Sequence, residues 1–399
     1  MNLLYTITSY HPAIGGAQTH VHELARRLTA RHAVRVLCHW NRYRTDWLLG
    51  TTLLAPRRDL EYDADGVAAL RFGVPLWRRP FQLPWVLGYY GAMDWSIDRL
   101  SKHMFETILG KVGEVGVDVV HNARIGREPL SFASLKLARH FDVPFLLTPF
   151  HHPRWVGWRY RPYLRLYRMA DRVICLTEAE RRTLEELGVD PARLRVLGMG
   201  PNVADSADPS RLKRIEKLRG IEKIVLFVGQ KYRYKGVDLL LEAAPRVWRS
   251  HPKTAFVFVG PPSRWSRRLF RRPLDARIVD LGAVDNQQKT DALAAADVLC
   301  LPSTQESFGA VFLEAWSFHK PVIGCPIPAV SEIIEHGENG LLSRPEPEEL
   351  ARSIVMVLDD PELGRRLGDA GHRLVRERWT WSALAARLDA IYEEVKSSG

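Results

Sequence analysis

Glu306 and Glu314, with seven residues between them, stand where a hydroxyl-rich ligand could be held. The run Asp297-Val-Leu-Cys-Leu-Pro302 predicts a buried strand that proline ends. Ser303, Thr304 and Ser307 are then candidate N-caps, 310–318 is the predicted helix, and Gly309 just inside its start allows close approach to the backbone. At about 100° per residue such a helix brings Glu314 to within roughly a quarter turn of the face of Glu306. Two carboxylates would thus line one side of a crevice at the carboxyl end of a strand, where open α/β sheets bind ligands. Each accepts charge-assisted hydrogen bonds from the vicinal hydroxyls of a sugar or ribose. The plainer alternative is a capping Glu306 and a surface Glu314, but Phe312, Leu313, Ala315 and Trp316 flank Glu314 and argue against an open face.

Cationic groups lie upstream. Lys223-Ile-Val-Leu-Phe-Val-Gly229 predicts a strand, Gln230-Lys-Tyr-Arg-Tyr-Lys235-Gly236 a loop, and Val237 opens a helix. An ammonium at Lys235, just ahead of a helix, suits a leaving diphosphate. Lys231 and Arg233 share the loop, and an exposed basic loop is the alternative reading of both. In the amino-terminal half, Gly15-Gly16 separates a predicted strand at 3–7 from a helix near Ala17, so backbone N–H groups and the helix dipole could meet an anion. The strand at 145–149 delivers Phe150-His-His-Pro, and a histidine there can bind a sugar hydroxyl or polarise a reacting centre. His20 and His22 read as packing or surface histidines. Asp63-Ala-Asp65 has the spacing of a metal-binding carboxylate pair, but it sits in a polar turn before Gly66 and is discounted; no metal site is expected.

These residues need strand ends to position them. Strands at 3–7, 34–38, 118–122, 145–149, 173–177 and 193–197 alternate with helices, and a second alternating series starts at Lys223. The pattern predicts an α/β protein with parallel, doubly wound sheets. A length of 399 residues calls for two or more domains, and 46% hydrophobic with 26% charged residues is ordinary for a globular chain. The expected division is 1–200, 201–378 and a terminal amphipathic helix at 379–399. The start lacks a basic n-region and reads as a first strand rather than a signal peptide. The four cysteines show no C-x-x-C pairing and read as reduced core residues of a cytosolic protein. A net charge of +11 favours an anionic partner without choosing one.

Glu306-Ser-Phe-Gly-Ala-Val-Phe-Leu-Glu314, followed by Lys320-Pro-Val-Ile-Gly324 and Glu338-Asn-Gly-Leu-Leu342, resembles the Glu-x7-Glu signature and next landmarks of the retaining nucleotide-sugar glycosyltransferases of family 4. The resemblance implies the GT-B fold, two facing Rossmann-like domains with the active site in the cleft between them, the terminal helix crossing back onto the first. It implies a sugar moved from a nucleotide-diphosphate sugar to a carbohydrate or lipid-linked acceptor in cell-surface polysaccharide or glycolipid synthesis, with retention and without a metal or other cofactor. It gives catalytic roles to His152, Lys235 and Glu306, His151 filling a variable place. Some members carry the histidine at the place of Phe150, which leaves its role open between catalysis and acceptor binding. Donor contacts fall on Gly15, Gly16, Lys231, Arg233, Gly236, Val284, Ser307, Phe308, Gly309 and Glu314. Gln230 departs from the family's arginine, leaving Lys231 or Arg233 to supply that charge.

Two segments, 76–90 and 154–168, mix tryptophan and tyrosine with arginine. Such mixtures suit a membrane interface or a lipid-diphosphate acceptor, and membrane-surface contact by at least one segment is expected, against ordinary packing with snorkelling arginines. The basic stretch 261–272 reads as a solvated loop. The localisation implied is cytoplasmic, peripheral at the inner face of the plasma membrane, with no nucleic-acid partner. Two other readings stay open: a basic non-enzymatic binder of nucleic acid or membrane, and another enzyme of the same fold, such as a phosphorylase or epimerase. Donor sugar, base, acceptor, linkage and oligomeric state have no signature here.

Overall fold

The computed structural model describes residues 1–13, 15–40, 48–112, 116–124, 126, 128–151 and 157–397. The chain divides into two compact units, Met1–Gly198 together with Trp381–Gly399, and Met199–Thr380.

The first unit carries an eight-stranded sheet. Its strands are β1 Asn2–Ile7, β2 Ala33–Cys38, β3 Leu60–Ala64, β4 Val67–Arg71, β5 Val119–Ala123, β6 Phe145–Thr148, β7 Arg172–Cys175 and β8 Leu194–Val196. The order is β3-β4-β2-β1-β5-β6-β7-β8, parallel throughout except for the β3–β4 hairpin. That hairpin, absent from the sequence reading, turns at Asp65 (φ 51) and Gly66 (φ 85), an Asp-Gly turn whose twist suits adjacent strands. The order runs outward in both directions from β1 and β5, so the loops after these strands flank the switch point of the sheet. Leu4, Leu37, Val120, Phe145 and Leu147 are buried at its centre with Leu130, Leu137 and Leu166 from covering helices.

The terminal helix Trp381–Ser397 belongs to this unit. Leu384, Leu388, Ile391 and Val395 form its buried stripe. Its polar contacts are specific: the Tyr392 hydroxyl lies 2.5 Å from that of Tyr5 and 2.6 Å from His121 Nδ1, and Asp389 lies 2.5 Å from His32 Nε2.

The second unit carries a six-stranded sheet. Its strands are β9 Lys223–Val228, β10 Thr254–Val259, β11 Ile278–Gly282, β12 Val298–Leu301, β13 Val322–Gly324 and β14 Leu341–Leu342. All pairs are parallel, in the order β11-β10-β9-β12-β13-β14. β9 and β12 are neighbours although two strands separate them in sequence, so the switch point falls between their carboxyl ends. Helix Val237–Val247 opens where the sequence predicts it, and Pro347–Asp359 and Pro361–Arg378 are further helices of this unit. The stretch expected to be a basic loop contains a helix, Arg264–Leu269, closed by a reciprocal Ser263–Ser266 capping box.

Three of the buried imidazoles of the first unit resist protonation most: burial holds His20 down to about 3, His39 to about 4 and His121 to about 3. An unfolded histidine titrates near about 6.5, so below that pH the unfolded chain binds protons that the folded chain refuses. Their contribution is complete above pH 6.5 and falls as the pH drops toward the folded values, at roughly 4 kcal/mol per pH unit where all three count. The urea midpoint of the first unit should therefore fall steeply from pH 6.5 to 4; a midpoint constant over that range would contradict it.

Candidate functional site

In the second unit the loops after β9 and β12 are joined. Gly236 adopts φ 72, and a Cβ there would lie 2.5 Å from the Pro302 carbonyl oxygen, so only glycine permits the approach. Two residues before it, the Tyr234 carbonyl accepts from the Thr304 backbone N–H at 2.8 Å. This contact brings Lys235 to Glu306: Nζ lies 2.5 Å from Oε1, and the side chains are only 15% and 9% exposed. Two charges so far out of water must compensate one another.

Both adjoining helices start on glycine. Val237–Val247 follows Gly236 and Ala310–Trp316 follows Gly309 (φ 93), and neither has a side-chain cap hydrogen bond. Their first-turn N–H groups therefore have no side-chain acceptor at the N-cap, and the positive dipole ends sit at the strand ends that carry Lys235 and Glu306. Ser303, Thr304 and Ser307, expected as caps, do not fill that role, and the helix ends at Trp316 rather than 318. Glu306 precedes the helix start, so the helical rotation relating it to Glu314 does not apply; it reaches its place through the loop. Ser307 is half-buried beside it and Phe308 is buried, edge-on to Trp379 at 6.0 Å.

Glu314 is buried, and burial pushes its carboxyl above the usual range against the opposing pull of Lys289. Lys289 Nζ lies 2.9 Å from Glu314 Oε1 and also donates to the Asn202 carbonyl at 2.5 Å. Sequence reading missed Lys289. The signal was the Asp285–Gln288 capping box, which starts helix Asn286–Ala295 and fixes the side from which Lys289 projects. Val284 lies just ahead of that cap, half-buried.

Lys231 stands differently from its expected role. It is fully buried, its ammonium 2.5 Å from Asp280 and 2.6 Å from the Gly260 carbonyl, and burial lowers its affinity for a proton against the pull of Asp280. It ties the loop after β9 to the ends of β10 and β11. Arg233, exposed in the same loop, is the basic side chain there that remains open to an anion.

In the first unit Gly15 is the N-cap of helix Gly16–Leu28, with extended backbone (φ 177) and no side-chain cap hydrogen bond, and Gly16 is exposed. His152, like Arg127, Arg154 and Trp155, lies outside the described residues. His151 is buried; its backbone N–H donates to Glu180 at 2.6 Å, and Nδ1 lies 3.4 Å from the Tyr167 hydroxyl. Phe150, at φ 44, sets its ring edge-on to His20 at 5.3 Å. Of the aromatic segments, the second sends Tyr163, Leu166 and Tyr167 into the core, whereas Trp77, Phe81 and Leu87 of the first are 63–71% exposed.

Residues 15–200 match the family described as glycosyl transferase 4-like domain, and residues 222–360 match glycosyl transferases group 1. The chain belongs to the group 1, family 4 glycosyltransferases. Within these glycosyltransferases it is 32% identical over 231 residues to a phosphatidyl-myo-inositol mannosyltransferase of Mycobacterium tuberculosis, an alignment covering 55% of this chain and 58% of that protein. It is 28% identical over 238 residues to an alpha-D-kanosaminyltransferase of Streptomyces kanamyceticus, covering 57% and 61%. The chain thus spans somewhat over half the length of these curated relatives. Among solved structures it is similar to Anabaena HepE in complex with UDP and glucose (TM-score 0.73, 18% identity, 99% of this chain and 100% of that one). It is also similar to sucrose-phosphate synthase from Thermosynechococcus elongatus (TM-score 0.75, 19% identity, 100% of each). The fold of the chain is GT-B, built on two doubly wound α/β units.

Lys231 and Arg233, two basic side chains of one loop, should separate by substitution. Lys231→Met removes the ammonium that Asp280 and the Gly260 carbonyl share and should cost about 2 kcal/mol in urea unfolding. Arg233→Ala, at an exposed position, should change stability by less than about 0.5 kcal/mol. Equal stability of the two variants would contradict the assignment.

Proposed function

We propose that the protein transfers a sugar from a nucleotide-diphosphate sugar to a carbohydrate or lipid-linked acceptor, retaining configuration at the anomeric carbon. The observation that carries this reading is the shielded Lys235–Glu306 pair at the switch point of the second sheet, between two helix starts without side-chain caps. A diphosphate gains charge as its bond to the sugar breaks, and a preorganised ammonium with oriented N–H groups stabilises that charge. Lys235, the helix starts and Arg233 take this role in place of a metal ion. Glu306 accepts from hydroxyls of the donor sugar, and Glu314, steadied by Lys289, from those of the ribose. The acceptor attacks from the face the diphosphate leaves, and a phosphate oxygen takes its proton. Glu314 is no nucleophile in this scheme, because its carboxylate is buried and held by Lys289.

Support for a nucleotide-sugar donor comes from the UDP and glucose in the HepE structure. Support for an inositol- or lipid-bearing acceptor comes from relatives described as acting on phosphatidyl-myo-inositol and D-inositol 3-phosphate. No helix among the described residues is long and apolar enough to cross a membrane. The exposed Trp77, Phe81 and Leu87, with Arg159 over the Tyr90 ring at 5.2 Å, supply a surface suited to the interfacial layer of an anionic membrane. In this reading the protein works peripherally at the inner face of the plasma membrane, in glycolipid or cell-surface polysaccharide synthesis.

The test starts with thermal shifts against UDP, GDP and ADP sugars, because a ligand bound only by the folded state raises the melting point. With the stabilising donor in hand, Lys235→Ala and Glu306→Ala should each lower kcat by at least about 100-fold while the fold is kept. Anomeric NMR of the product should show retention and separate transfer from phosphorolysis or epimerisation. Near-normal turnover in both variants would overturn the site.

A further inference from the structure

Three side chains of the first unit converge from separate elements. His11 lies in the loop after β1, His22 on helix Gly16–Leu28, and Asp65 at the turn of the β3–β4 hairpin. Their candidate ligand atoms all lie within 4.8 Å of one another, and no other such set of three histidine, cysteine or carboxylate groups occurs among the described residues. We propose that His11, His22 and Asp65 bind one divalent transition-metal ion of the zinc class, with water completing the shell.

The geometry fits such an ion. His22 Nε2 and Asp65 Oδ2 are 3.1 Å apart. Two ligands of a tetrahedral zinc at 2.0–2.1 Å are separated by about 3.4 Å, so this pair needs a shift of only a few tenths of an ångström, and separations up to the 4.8 Å limit of the set close by rotation of the side chains. The His11 and His22 rings stack at 4.5 Å and 17°, which brings the two imidazoles together; because the lone pairs lie in the ring planes, the half-buried His11 ring turns about its side-chain bonds to meet the same ion as His22. His22 is buried, whereas the Asp65 side chain is 61% exposed and leaves the ion a way in. An aspartate is also among the side chains most at ease at a positive φ such as that of Asp65.

The groups behind the ligands are those a metal site needs. The Tyr10 hydroxyl lies 2.9 Å from His22 Nδ1, and the Tyr62 hydroxyl donates to the His11 carbonyl at 2.7 Å. Without metal, Tyr10 donates to Nδ1 and Nε2–H donates to Asp65. With metal, the imidazole takes its other tautomer, Nδ1–H donates to Tyr10, and the Nε2 lone pair meets the ion. Outer partners of this kind fix ring orientation and tautomer in metal sites. An ion there ties the loop carrying Gly15 and Gly16 to its helix and to the hairpin, so loading stabilises the part of the first unit that would face an anion. Only Asp65 of the discounted Asp63-Ala-Asp65 pair takes part. Asp63 accepts from the Gly66 N–H and belongs to the turn.

The full-length protein should be titrated with Co²⁺, followed by visible absorption, then with Zn²⁺ as competitor. All four cysteines are buried, which keeps thiolates out of the count. The expected result is one equivalent of Co²⁺ with a tetrahedral-type spectrum, displaced by Zn²⁺, and a melting point raised by Zn²⁺. Asp65→Asn and His11→Gln, both at positions open enough to keep the fold, should each weaken binding at least about tenfold, and Tyr10→Phe should weaken it by about 10-fold or more through the outer partner. Folding of each variant is checked by circular dichroism. No stoichiometric uptake would overturn the proposal, as would uptake unchanged in the Asp65→Asn/His11→Gln double variant. A variant that loses stability while the wild type binds no Co²⁺ would leave only a His22–Asp65 ion pair and overturn it equally.

Discussion

The close approach of Gly236 to the Pro302 carbonyl is the constraint on which the second unit depends. β9 and β12 are adjacent in the sheet but distant in sequence, so the loops after them meet only if one backbone gives way to the other. Glycine at φ 72 supplies the room, and the Thr304–Tyr234 hydrogen bond holds the loops in register. Lys235 and Glu306 are paired because of this junction. A larger residue at 236 would separate the lysine from the glutamate before it altered either side chain.

Charge is sorted by depth around the junction. Lys231 and Asp280 are joined behind it and serve the fold; Lys289 and Glu314 are joined beside it and hold the segment at Asn202. Lys235 and Glu306 form the pair set beside two helix starts. Each carboxylate has its own ammonium, so these three pairs are nearly neutral as a group. The added positive potential comes from the helix ends and Arg233, a balance suited to a ligand with neutral hydroxyls at one end and phosphates at the other.

Much of this was legible in the chain, for identifiable reasons. Alternating apolar runs and helical spacing gave the doubly wound sheets, because buried parallel strands leave a strong local signature. Lys235 and Glu306 were legible as residue types at strand ends. The cap of helix Ala310–Trp316 was not: three hydroxyl residues precede it, yet the left-handed backbone at Gly309 starts the helix. The burial of Lys231 was equally invisible, since its partner Asp280 lies on a strand 49 residues away and nothing local distinguishes a structural lysine from a ligand-binding one. His11, His22 and Asp65 are scattered over three elements, and only the folded sheet brings them together.

The central claim is that Lys235 and Glu306 act as one unit, and a double-mutant cycle on kcat/KM with the stabilising nucleotide sugar tests it most directly. Lys235→Met, Glu306→Gln and the double variant would be compared with the wild type. The account predicts strong non-additivity, with the double variant no more than about tenfold below the worse single one and a coupling energy of about 1–3 kcal/mol. Losses that simply multiply would mean that the two side chains work independently, and would contradict it.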